Sequence, residues 1–157
     1  MKNQYIIALL RISLGFIFLW AFLDKLFGLG FSTLPDKSWL NGGSPTLGFL
    51  SSVKGPFSSF YNAIAGNPIA DFLFMLGLIL VGLSLMLGIL TRIASYSGVL
   101  MTFLIWTASL PIKTNPFLDQ HIIYILVLLL LANTNSGSTL GFGQPWFRLV
   151  KRNKFLI

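Results

Sequence analysis

Asp119, Gln120 and His121, the chain's single histidine, stand together at the head of the apolar run 122–132. Histidine exchanges protons near neutral pH. Tyr124 follows His121 by three positions, so the two share one face of a helix. More ionisable groups lie at the ends of other apolar runs. Asp24 and Lys25 close the first, Asp71 opens the second, and Trp106 and Lys113 flank the end of the third. If these ends converge, they form a polar pocket in which histidine moves protons and a neighbouring lysine holds an anion. The plainer alternative is a helix start, with Asp119 complementing the helix dipole and His121 at the level of lipid headgroups. Metal and thiol chemistry find no residues here. Cysteine is absent and there is one histidine, so no zinc spacing, bis-histidine haem site or disulfide is available.

The elements that must position these groups follow from composition. The chain is 55% hydrophobic and only 10% charged, too few charges to cover a water-facing surface. Four runs approach membrane-spanning length: about 5–23, 69–90, 93–110 and 117–132. The fold expected is all-α, a four-transmembrane-helix bundle forming a single membrane domain over 1–157. The first run is too long for a signal-peptide core and lacks a small-residue cleavage site after it, so it is read as retained. The connection 24–68 is rich in aromatic residues that would not lie loose in water. Ser44-Pro45 and Gly55-Pro56 open short helices within it, and Gly66-Asn67-Pro68 caps the next run.

With four spans both termini share one side. That side carries Lys2, Arg11, Arg92, Arg148, Lys151, Arg152 and Lys154 and no acid, and therefore the whole net charge of +7. The positive-inside rule makes it cytoplasmic, in a cell (inner) membrane. The basic tail, 133–157, then meets anionic headgroups of the lipid bilayer, which removes the case for nucleic acid. Arg11 lies two turns into the first span, with Gly15, Phe18, Phe22 and Lys25 on the same inward face. It either serves a site, snorkels to the inner headgroups or bonds carbonyls at a helix end, and Arg92 belongs with it at the inner end. Gly77, Ser84 and Gly88 on the second span face Ala94, Gly98 and Thr102 on the third as a small-residue packing pair. The apolar part of the last span, 122–132, covers only about 16 Å. Either the bilayer thins there or the Asp119-Gln120-His121 turn lies inside protein.

The segments ALLRISLGFIFLWAFLDKLFGLGF, WLNGGSPTLGFL, GLILVGLSLMLGILTRIA and NPFLDQHIIYILVLL resemble the DoxX/DoxD superfamily, and its DoxD branch in particular, to about Gly143. That branch is associated with thiosulfate:quinone oxidoreductase, in which a DoxD membrane subunit works with a DoxA subunit. Two thiosulfates are joined to tetrathionate and two electrons pass to a membrane quinone. The resemblance thus implies His121 and Lys25 as catalytic groups for proton and anion. Lys113, Tyr124 and Trp106 would bind substrate, with Asp24, Asp71 and Asp119 orienting the site and Arg11 and Arg92 structural. It also implies a DoxA-like or other redox partner encoded elsewhere, since no such domain is present. Two further classes stay open. One is a non-catalytic anchor or assembly subunit for a redox partner. The other is a small-solute transporter, which would need a homo-oligomer to build a path.

Overall fold

A computed structural model describes residues 2–112 and 118–150. Among them the chain forms seven α-helices and no strand: α1 (Lys2–Phe27), α2 (Leu47–Leu50), α3 (Ser58–Ile64), α4 (Pro68–Leu87), α5 (Thr91–Ala108), α6 (Gln120–Ala132) and α7 (Gly143–Leu149). Two of them, α1 and α4, are long and apolar enough to cross a membrane. α5 has 18 residues but carries serine and threonine along its length. α6 has 13 residues, about 20 Å at 1.5 Å per residue. The fourth run therefore begins as helix at Gln120, not at 117, which lies outside the described residues.

α4 illustrates how sequence sets both ends. Asn67 caps it, its side chain accepting from the Ile69 amide at 2.9 Å and the Ala70 amide at 3.4 Å, while Pro68 supplies a preset first turn. Gly88, at φ +73°, closes the other end in the left-handed conformation. The orphan carbonyls of the last turn all find donors. The amides of Gly88 and Ile89 serve Ser84, Arg11 serves Leu85 and Met86, and the Phe142 amide serves Leu87 at 2.8 Å.

α4 packs along α1, α5 along α4, and α6 along α5. Their common core holds Leu14, Phe18, Met75, Leu78, Val81, Leu85, Ala94, Leu128 and Leu131. Outward-facing positions are apolar too: Tyr5, Ile6 and Leu9 on α1, and Phe72, Leu73 and Leu80 on α4, are all exposed. Such a surface suits hydrocarbon rather than water. α1 and α4 approach closely, glycine against backbone. A Cβ on Gly15 would lie 2.8 Å from the Met86 nitrogen, and one on Gly82 would lie 2.7 Å from the Leu19 nitrogen. Of the small residues expected to join α4 and α5, Gly77 does meet Met101 of α5, and Gly98 meets Val81 of α4 and Leu128 of α6. Gly88 instead abuts Arg11 and Gly137.

The bundle has two distinct ends. The loop end carries the connection between α1 and α4, with 3₁₀ turns at Pro35–Lys37 and Trp39–Asn41 followed by α2 and α3. Leu50, Val53 and Tyr61 form a small second core there with Ala108 of α5. The tail end gathers the α4–α5 turn and the chain after α6. That region was expected only as a basic tail, but it contains a 3₁₀ turn at Ser136–Ser138 and α7. Residues 151–157, with Lys151, Arg152 and Lys154, lie outside the described residues.

Candidate functional site

Asp119 is the N-cap of α6 and holds His121 twice. One carboxylate oxygen accepts from the His121 amide at 3.0 Å, and the other meets the ring Nδ1 at 2.6 Å. Both side chains are mostly enclosed, 14% and 18% exposed. This is the geometry of a helix start. The cap residue fixes the imidazole, and Nε2 has no partner among the described residues. Tyr124, one turn further on the same face, packs against the main core.

Asp24 and Asp71, expected to orient Lys25 and His121, instead bind the loop above them. Asp24, 1% exposed, accepts from the amides of Phe31 and Ser32 at 3.1 and 3.0 Å and from the Ser32 hydroxyl at 2.6 Å. Asp71 accepts from Ser44 Oγ at 2.9 Å, Thr46 Oγ1 at 2.5 Å and the Thr46 amide at 3.2 Å. Each buried carboxylate is satisfied locally, as burial of a charge demands. No hydrogen bond or ion pair among the described residues links Asp24, Lys25, Asp71 and the Asp119–His121 pair to one another. Lys25 is half-buried beside Asp24 and makes none of its own. Lys113 lies outside the described residues. The Trp106 ring stacks near Phe103 with centroids 5.9 Å apart, and its indole nitrogen is buried without a partner.

Sequence reasoning missed the acceptors' true partners. Ser32, Ser44 and Thr46 carry no pattern that marks them, because the contacts of Asp71 span 25 and 27 residues. It also passed over Tyr61, whose hydroxyl reaches the Leu104 carbonyl at 2.9 Å and Thr107 Oγ1 at 2.5 Å, pinning α3 to α5. One groove opens at this end. It has a volume of 450 Å³ and runs along the outward side of α1, lined by Phe16, Ile17, Trp20, Phe31, Asp24 and Ser32. The Trp20 ring meets Phe31 edge-on at 5.1 Å and stacks on Phe16 at 5.8 Å.

At the tail end Arg11 is 0% exposed. It donates to the carbonyls of Leu85 and Met86 through one terminal nitrogen, and to Thr139 at 3.2 Å and Leu140 at 2.8 Å through the other. It therefore closes α4 and ties the chain beyond α6 to α1. Arg92 is exposed beside it at the start of α5. Among the described residues no cluster of three histidine or acidic side chains is placed to hold a metal.

A sequence model of the DoxX family matches residues 6–110. No curated protein and no solved structure matches the chain.

Proposed function

The chain belongs to the DoxX family of membrane proteins, and from that premise we propose that it is a DoxD-like membrane subunit of a quinone-linked oxidoreductase. Its loop end faces the outside of a cell membrane. The helices α1, α4, α5 and α6 each cross, and both termini are cytoplasmic, in keeping with the +7 charge that the tail side carries. Thiosulfate is the donor class: two dianions join through a new S–S bond to give tetrathionate, releasing two electrons. A quinone takes those electrons with two protons to become quinol. The redox relay, or the second half of the site, belongs to a partner subunit.

The observation that carries this reading is the Asp119–His121 pair, 2.6 Å apart and mostly enclosed at one end of an apolar helix. A carboxylate fixed on Nδ1 leaves Nε2 to pass a proton to a reduced quinone oxygen, general acid work suited to an imidazole. Lys25, without an ion-pair partner among the described residues, offsets the charge of an anionic donor. The groove on α1, aromatic-walled and open toward lipid, has the apolar character that a quinone ring and its tail require.

The test is reduction of a quinone by the full chain in nanodiscs, with thiosulfate as donor and any co-purifying subunit retained. His121→Gln is expected to lower turnover by about 10²-fold or more, the range of a lost general acid. Unchanged turnover would leave His121 a helix-start residue only. A second reading, a non-catalytic anchor for a redox partner, is favoured by one observation: Arg11, Asp24 and Asp71 are spent on the chain's own backbone and hydroxyls. It predicts no turnover by the chain and its partner that depends on His121, and loss of partner binding when the loop 28–67 is altered.

A further inference from the structure

The tail end holds a cavity of 710 Å³ between the start of α5, the end of α6 and α7. Its walls include Thr91 and Arg92 from α5, Asn133 and Asn135 after α6, and Gln144 and Phe147 on α7. Two features favour an anion there, and a third adds a hydroxyl to hold one. First, the sequence holds no aspartate or glutamate after Asp119 and none between Asp71 and Asp119, so no acidic side chain among the described residues of this end repels an anion. Arg92 on the wall is exposed and free to turn toward a ligand.

Second, the two helix ends that meet here are treated differently. The carbonyls closing α6 are already occupied: Asn133 Nδ2 serves Leu129 at 2.8 Å, the Asn133 amide serves Leu130, and Thr134 serves Leu131. The negative end of that helix is muted. α5 begins after Leu90, which caps nothing with its side chain, and the amides of Thr91, Arg92 and Ile93 find no acceptor among the described residues. They are orphan donors at the positive end of an 18-residue helix. Third, Thr91 is 7% exposed and lines the cavity, yet its hydroxyl has no hydrogen-bond partner among the described residues.

We infer that this cavity binds a phosphate ester, held by Arg92, the Thr91 hydroxyl and the first amides of α5. The source favoured is the headgroup of an anionic phospholipid. α1 starts and α4 ends at this level, and the neighbouring surface of α7 and the turn before it is apolar, with Phe142, Phe147 and Leu149 exposed to receive the glycerol and acyl part. This site lies at the opposite end from the Asp119–His121 pair and does not depend on quinone chemistry.

The test uses the full chain, exchanged into nanodiscs of phosphatidylcholine with a minor share of phosphatidylglycerol. Lipid retained after mild extraction is then measured by native mass spectrometry. One phosphatidylglycerol per chain is expected, with retention falling about ten-fold in Arg92→Gln, as for one charge-assisted hydrogen bond. Thr91→Val is expected to weaken it further. Arg148→Gln, basic but outside the cavity wall, is the control and should keep its lipid. Arg92 is on the surface, so its variant is expected to fold, as elution volume would check. Inorganic phosphate that displaces the lipid or raises the melting temperature of wild type but not of Arg92→Gln would support the same site with a free phosphate as source. Equal loss in Arg92→Gln and Arg148→Gln would reduce the effect to diffuse surface charge and overturn the site. So would the absence of retained lipid and of any response to phosphate.

Discussion

Arg11 shows what a buried cation does when no counter-ion is at hand. Its guanidinium answers four carbonyls, two ending α4 and two beyond α6, a use suited to a planar fork with several donors. Arg11→Met keeps the length and removes every donor. It is expected to cost at least about 2 kcal/mol through carbonyls left unpaired, read as a lower unfolding midpoint in detergent. Arg11→Lys should recover little, because one ammonium cannot reach both pairs.

Among the elements, the α1–α4 crossing sets the geometry of everything attached to it. Gly82→Ala places a methyl 2.7 Å from the Leu19 backbone nitrogen, which has no flexible group to yield. A loss of about 1–3 kcal/mol is expected, as for overpacking generally. Gly48→Ala in α2 meets nothing within 4 Å and should be neutral or gain a few tenths of a kcal/mol. Melting curves of the two variants side by side separate close packing from loss of glycine as such. This crossing was not legible in the sequence, because Gly15 is a lone glycine within α1 and a single small residue has no period to recognise. What could be read was local: the Gly66-Asn67-Pro68 cap, the short helices after Pro45 and Pro56, and the inward face running from Arg11 to Phe22. The Asp119–His121 proximity was legible too, since it needs only one turn of helix. The partners of Asp24, Asp71 and Tyr61 were not, because each is fixed by how the loop folds back on the bundle. Asp24, Asp71 and Asp119, expected to orient one pocket, are thus satisfied separately, the first two by the loop and the third by its own helix start.

At the scale of the whole molecule, the chain after α6 must return to where it began, because Thr139 and Leu140 accept from Arg11 in the first helix. Both ends of the helical bundle's path therefore lie on one side, whatever the thickness of lipid between. α6 is the weak step in a four-crossing topology. Its ~20 Å falls about 10 Å short of a typical hydrocarbon core. In the proposed crossing that deficit is assigned to the loop end, where Asp119 and His121 are mostly enclosed by protein and α2 and α3 lie against the end of α5. Polar groups there need not meet hydrocarbon, so a short helix can complete the crossing without a large bilayer distortion. In the proposed topology the charge asymmetry sets the sense, with the acid-free end expected on the cytoplasmic side. Reporters fused in turn to the N-terminus, to the 51–56 stretch and to the C-terminus give a decisive readout. Cytoplasmic signals are expected at both termini and an external one from the loop. A C-terminal reporter found outside would mean that α6 turns back without crossing. Because Arg11 could not then hold Leu140, the contact that closes the tail end would have to be absent in the membrane.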